Sequence, residues 1–543
     1  MNKRLLLILL ATVCYASDKF SVGAYLHNRF HPNIVQERDI EGLDAHIVDN
    51  KLVLNIQVFL ELLLKNSTDI RLSQLDVYNA ADSVTAAKAP FDPQLILSFN
   101  TIRSTQPEPS QISGAGTLDS LSQTSQATFS QTIGSGPTVS ASFNAVRSSN
   151  NSAFSVFNPN ISDSLNVQIT QPLLQGRGNL QLRAPLLIAR TQLLITSKQT
   201  QSRIADTMSN AAGQYWEAIR ARDNIRVQRQ ALDLAQKSYD HDKQALELGA
   251  LSRLDIFQSE TQLAQRKLSA IQAQYGYREQ LDGIRRLIGA DLKPQTRSIE
   301  IVLQDDPAVQ PTSVIAESVD EAIAKAMRDR PELNAANQRI AIDELNAKTS
   351  RNSLLPRLDL SISAGSAGLS GVELASTGIL GTASTPIAST GLGDSLRQLF
   401  SASSPYYGAG LTLSIPVKSS AAQASLADAL VNRARDNYTV RQIQQQIILE
   451  VKTAANELEL AREAVRAALS ARDLAQQNAD AEQQKYELGT ITAFELLGAQ
   501  TSLASVQSSV VDANISYQKA LISYGRATWA APYGGLEALV KIP

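Results

Sequence analysis

Histidines, thiols and glycine-rich turns are where reactive chemistry would show in this chain of 543 residues. Its four histidines are His27, His31, His46 and His241. His27 and His31 stand four apart, a spacing that on a helix turns two imidazoles toward one metal ion. Pro32 follows directly and disfavours helical backbone at His31, so a flexible arm explains the pair better than a metal site. Cys14 is the only cysteine, and one thiol makes no disulfide framework. "GSGP" at 134–137 lacks the lysine and following helix of a phosphate loop, and "GRGN" at 176–179 leads out of a strand. No Ser-His-Asp order stands in a sensible context. No catalytic, metal or cofactor site is expected.

The elements around these residues say more. Net charge is -2, which argues against a nucleic-acid partner, since that needs a basic face. Aromatic residues make up only 5%, and alanine, glutamine, serine and leucine dominate, a composition suited to long, closely packed helices. The start, "MNKRLLLILLATVCYAS", reads as an export signal: Lys3 and Arg4, an apolar core from Leu5 to Val13, and a cleavage site at Cys14-Tyr15-Ala16. Cys14 also permits a lipid-acylated start, although Val13 stands where such signals prefer a small residue. No later run offers ~20 apolar residues, so no transmembrane helix is expected. An exported chain of this kind is soluble, lipid-anchored or inserted as a β-barrel.

One sentence of sequence is written twice. "LELGALSRLDIF" (Leu246 to Phe257) returns as "YELGTITAFELL" (Tyr486 to Leu497), and the match continues without a gap through Leu263 and Leu503. Upstream, "NSTDIRLSQLDVYNAADSVTAAKAPFDPQLIL" from Asn66 parallels "DRPELNAANQRIAIDELNAKTSRNSLLPRLDL" from Asp329. Each half reads helix, proline, strands, proline, very long helix, glycine turn, helix. The expected organisation is a signal peptide over 1–16, an extension over 17–50, repeats over 51–318 and 319–530, and a tail over 531–543.

Ile443, Ile447, Val451, Ala454, Leu458, Ala461, Val465 and Leu469 step by three and four, the seam of a coiled-coil-like helix. Ile204, Met208, Ala211, Tyr215 and Ala218 repeat that spacing in the first half. Leu180 to Leu248 contains Pro185 near its start and then no further proline, so a helix there reaches on the order of 100 Å. Gly249 and Gly489 interrupt the seams. Ser252 or Thr492 follows as N-cap, with Asp255 or Glu495 three residues on. Both copies therefore read as helical hairpins, a kink within one helix being the alternative.

Between the prolines, Leu95, Leu97 and Phe99 alternate with polar neighbours apart from Ile96, as do Leu165, Val167 and Ile169 with Asn166, Gln168 and Thr170. A hairpin is expected around "GSGP", and the second half offers Leu358, Leu360, Ile362 and Leu411, Leu413, Ile415. The stretches "STQPEPSQISGAGTLDSLS" and Gly365 to Ser404 read as long polar connections. One apolar and one polar face suit a membrane barrel. Four to six strands close no barrel, so chains must share one.

These features together resemble the TolC-like outer-membrane efflux factors over about Leu52 to Thr528. The most specific marks are the paired "ELGAL" and "ELGTI" tips, "RPEL" at Arg330 to Leu333 and "TQPLLQGRGN" at Thr170 to Asn179. The resemblance implies a mixed α/β membrane protein of the Gram-negative outer membrane: a trimeric β-barrel continued by a periplasmic α-barrel. It implies homotrimers, a surrounding lipid bilayer, a periplasmic adaptor and an inner-membrane pump of RND, ABC or similar type. The adaptor would dock on Leu248, Gly249 and Ala250 and on Leu488, Gly489 and Thr490. Tyr486 with Asp255 would latch the periplasmic mouth, and Glu495 would ring it with carboxylates, a solvated cap residue being the plainer account of Glu495. The family's arginine two residues beyond the second glycine is Ile491 here. With four strands in the first half, three chains would carry eighteen. The rival reading is an exported coiled-coil structural or adhesive protein without a duct.

Overall fold

The protein was analysed as a computed structural model that describes residues 39–107, 116–152, 155–248, 252–307, 318–376, 384–488 and 490–530, without the side chains of 253–255 and 493. The export signal with Cys14, His27 and His31, and the tip residues Gly249, Ala250 and Gly489, lie outside the described residues.

The chain opens with the hairpin β1 (Ile47–Val48) and β2 (Lys51–Leu54) and the helices α1 (Ile56–Asn66) and α2 (Thr68–Ala86). Four long strands follow: β3 (Gln94–Pro107), β4 (Thr117–Thr132), β5 (Thr138–Asn150) and β6 (Phe157–Pro172). Then come α3 (Leu180–Glu247), α4 (Arg253–Leu287) and β7 (Glu300–Leu303). The second half has α5 (Val319–Asp329), α6 (Pro331–Asn352), β8 (Arg357–Ser376), β9 (Ser384–Ser389) and α7 (Leu392–Phe400). It ends with β10 (Ser404–Ser414), α8 (Ser420–Glu487) and α9 (Ala493–Ala527). The duplication is metrical: α3 and α8 are both 68 residues long, and α4 and α9 both 35. At 1.5 Å per residue the longer rods measure about 100 Å.

The seams are buried where the spacing puts them. Ile204, Met208, Ala211, Tyr215 and Ala218 face inward along α3, as do Ile447, Val451, Ala454, Leu458, Ala461 and Val465 along α8. Alanine at these positions lets helix axes approach closely. Toward the glycine turns packing contacts run α4 to α3, α3 to α9 and α9 to α8, and toward the sheet they run α2 to α3, α3 to α6 and α6 to α8. The layer therefore ends on α2 and α4 at one side and on α8 at the other.

A belt domain clasps α3 near its middle. Strands β1, β2 and β7 form a small sheet, and Leu54, Phe59, Leu62, Leu63, Tyr215 and Ile284 build its core. Tyr215 donates its hydroxyl to Asp305 Oδ2 at 2.6 Å, and the same oxygen receives the Ile56 amide at 2.7 Å. That half-buried carboxylate thereby ties the strand pair to the rod.

The "RPEL" stretch staples four helices. Pro331 starts α6, where its missing N–H costs nothing. Glu332 Oε1 receives Arg526 of α9 at 2.6 Å and the Ser202 hydroxyl of α3 at 2.8 Å. Arg330, 7% exposed at its side chain, reaches Glu332 at 3.1 Å and Glu450 of α8 at 2.5 Å. Burial alone would raise the Glu332 carboxyl, but Arg330 and Arg526 outweigh it and hold it at about 2.

The long strands form one antiparallel sheet in the order β10-β8-β6-β5-β4-β3, with β9 pairing the upper part of β8. The hairpin around "GSGP" thus sits inside the sheet, and six long strands come from one chain. One face carries an apolar band: Leu95 lies opposite Phe129, Phe143 opposite Leu165, and Leu360 opposite Leu411. The other face carries Ser, Thr, Asn and Gln, as in Ser140 opposite Gln168 and Gln168 opposite Ser363. All four junctions to the rods leave the same end of the sheet, at Gln94, Pro172, Arg357 and Ser414.

The polar stretch Gly365 to Ser404, expected as a connection, instead holds the upper half of β8 and all of β9 and α7. Its small residues are the reason. A Cβ at Gly368 would collide with the Ser395 carbonyl of α7, and one at Gly371 with the Pro159 carbonyl of β6. The earlier stretch is likewise mostly strand, β3 running to Pro107 and β4 starting at Thr117.

Candidate functional site

The rods end at the glycine turns far from the sheet. α3 stops at Glu247 and α4 begins at Arg253, while α8 stops at Glu487 and α9 begins at Ala493. These are hairpins, not kinks. In the second tip Thr490 donates both its amide and its hydroxyl to the Lys485 carbonyl, at 3.0 and 2.9 Å. Those bonds satisfy one of the carbonyls that a helix C-terminus leaves open. Thr492 then caps α9. Its hydroxyl accepts the Glu495 amide at 3.4 Å, and Glu495 Oε2 accepts the Thr492 amide at 2.8 Å.

Leu248 and Leu488 project from equivalent places at the tips, 86% and 79% exposed. Phe257 and Phe494 add exposed rings close by. Apolar side chains left this exposed make the tips a candidate docking surface. The two phenylalanines were missed in the sequence, although aromatic residues are scarce enough in this chain to have drawn attention.

Tyr486 lies one turn above the second tip and reaches across to the first rod. Its hydroxyl donates to Asp242 Oδ1 at 2.5 Å, and its ring lies 5.3 Å from that of His241. Asp242 is 1% exposed. Burial, then Asp242, pushes the Tyr486 hydroxyl above its usual range, so it stays a proton donor. A cavity of about 270 Å³ beside this contact is lined by residues of α3, α8 and α9, among them His241, Tyr486 and Leu496.

Of the expected mouth residues, Tyr486 therefore has Asp242 as its partner within the chain. The side chain of Asp255, expected to hold it, is outside the described residues. Asp242 left one trace in the sequence. It continues the buried line of Val227, Ala231 and Ala235, where an acid is out of place. Glu495 is fully exposed, and the Thr492 amide, then its hydroxyl, hold its carboxyl below the usual range. Ile491, in place of an arginine, is half-buried.

Among the described residues no cluster could hold a metal ion, and no helix is long and apolar enough to cross a membrane. The membrane-facing element is the sheet. A sheet apolar on one side and polar on the other, continued by paired rods, defines one protomer of an outer-membrane channel.

A family profile described as outer membrane efflux protein matches residues 131–290 and 322–527. The chain belongs to that family. The curated proteins contain no significant match. Among solved structures, the outer-membrane channel OprN has a TM-score of 0.64 at 15% identity, covering 88% of this chain and 90% of that one. The outer membrane protein VceC of Vibrio cholerae has 0.61 at 14%, covering 88% and 96%. The outer membrane channel CmeC of Campylobacter jejuni has 0.60 at 12%, covering 92% and 94%. At such identities the likeness is one of fold. Family and fold together make the protein an outer-membrane efflux channel.

Proposed function

We propose that three copies of this chain close a single duct that conducts substrates passively from the periplasm to the outside, within a tripartite efflux or type I secretion machine. The observation that carries the reading is a pair of matched free edges. In the sheet, β3 and β10 are the outer strands, and both faces of each are exposed. In the helix layer, α2 leaves Leu72 and Leu75 and α4 leaves Leu268, Ile271 and Tyr275 uncovered on one side, and α8 leaves Val431, Tyr438, Leu449, Leu460 and Leu474 uncovered on the other. Unpaired strand edges and apolar helix flanks call for a neighbour. Joining β3 to β10, and α2 and α4 to α8, satisfies both at once and generates a ring. Three chains pool eighteen long strands, well above the roughly eight that a barrel needs.

In this arrangement the polar sheet face lines the duct and the apolar band meets lipid, with the rods reaching through the periplasm. The exposed leucines at the tips receive a periplasmic adaptor, and an inner-membrane pump supplies the energy. Tyr486 and Asp242 hold the two descending rods together in the closed mouth, and Glu495 rings it with carboxylate. Adaptor docking shifts the hairpins outward and moves a closed-to-open equilibrium.

The test is Gly489→Trp in cells carrying the cognate pump. Export should be abolished while trimers remain in the outer membrane, because only the docking turn is blocked. Undiminished export would remove the tips from the mechanism.

A further inference from the structure

On the outward sheet face, at the end away from the rods, the apolar band gives way to arginine. Arg147 is the next outward residue after Ala145 on β5, in register with Gln123 and Ile161. Arg103 stands two outward positions beyond Phe99 on β3, in register with Leu121. Both are exposed, and among the described residues neither meets a carboxylate. Arg147 Nη1 donates to Gln123 Oε1 at 3.0 Å.

On the β8–β10 side α7 carries the third arginine. The helix descends the outward face from Thr390, bonded to Gly371, to Ser404, in register with Ala367. Ser395 bonds to Asp163, which lies on the same face as Leu165 and Val167, and Leu399 is buried beneath the helix. Arg397 is left with 81% of its side chain accessible and touches Asp394 only at 3.4 Å. Phe400 is 67% exposed, and Tyr407, in register with Ala364 at the upper margin of the band, 80%. Two nearby acids are already engaged: Asp163 lies buried under α7, and Asp119 accepts from Thr105.

Aromatic side chains at the margin of a lipid-facing band, with guanidinium groups one step farther out, match the layering of a lipid leaflet. Rings sit at the acyl boundary, and planar, strongly donating cations sit at the level of the phosphates. We propose that Arg103, Arg147 and Arg397 form a belt that binds phosphorylated lipid headgroups in the leaflet away from the rods. The inference rests on the barrel reading above. A lipid phosphate is the occupant because the belt continues, strand by strand, a surface that acyl chains cover, and because Tyr407 and Phe400 would flank its ligand with apolar contact that a free ion cannot use.

The test uses the assembled protein in detergent, a fluorescent diphosphorylated lipid A, the same lipid without its phosphates, and inorganic phosphate as competitor. The diphosphorylated lipid should bind more tightly. R103Q, R147Q and R397Q should each weaken it about fivefold, the factor expected for about 1 kcal/mol per basic residue at a lipid surface, and leave binding of the dephosphorylated lipid unchanged. Equal affinity for the two lipids, no loss in the triple variant, or ready displacement by inorganic phosphate would overturn the proposal. The single variants keep the test decisive if the triple variant does not assemble. Conductance of each variant in a planar bilayer, expected at the wild-type value, separates failure of the belt from failure of the duct.

Discussion

Tyr486 has a single hydroxyl hydrogen bond to donate, and Asp242, almost wholly buried, accepts it. Removing that hydroxyl leaves a carboxylate without its shortest hydrogen bond, a loss of about 1–3 kcal/mol for a buried polar group. The contact joins α3 to α8, so its loss should loosen the proposed mouth without touching the barrel. Glu495 acts differently, through charge instead of a buried bond. Its carboxyl is fully exposed and held below the usual range by Thr492, so the ring proposed for the closed assembly would carry negative charge at neutral pH, although three carboxylates brought together raise one another toward protonation. A depressed carboxyl keeps its charge above its folded value and loses it only as pH falls through that value. The reversal potential under a salt gradient should therefore show cation preference at neutral pH that is lost on acidification. Glu495→Gln should lose that preference at every pH; an unchanged reversal potential would place the residue outside the constriction.

At the scale of elements, the staple around Glu332 holds α3, α6, α8 and α9 together and should dominate acid stability. Its folded value of about 2 lies below its usual 4.5. The stabilisation is then fully present above about 4.5 and is lost as pH falls toward 2. Glu332→Gln leaves Arg330 and Arg526 facing each other with less countercharge. Because the carboxylate is only partly exposed, the cost should be about 2 kcal/mol at neutral pH, below the full penalty of a broken buried pair. Thermal unfolding followed across this range should show the wild type losing its advantage over Glu332→Gln on acidification. Parallel curves would contradict that role. The rods themselves were legible, because a seam stepping by three and four can only be buried on one side. The second hairpin was legible too, since Thr492 and Glu495 cap it with local bonds. The Tyr486–Asp242 contact was not, because it joins residues 244 positions apart and follows no period. Helix α7 was hidden for another reason: it lies in a run of serine and glycine whose small size permits close packing and looks, in sequence, like a loop.

For the whole molecule, the decisive feature is that one chain is unfinished along its full length. The sheet ends on β3 and β10 and the helix layer on α8 and on α2 with α4, and both pairs of edges are exposed. Alternation showed which sheet face meets water, but periodicity carries no information about how many chains close the ring. That number follows from curvature, which only tertiary structure expresses. The measurement that tests the account most directly is single-channel recording of the purified protein in a planar bilayer. Wild-type protein should give discrete, long-lived conductance steps, and Tyr486→Phe, with its mouth unlatched, should give larger ones. A bilayer left electrically sealed by both proteins would contradict the account.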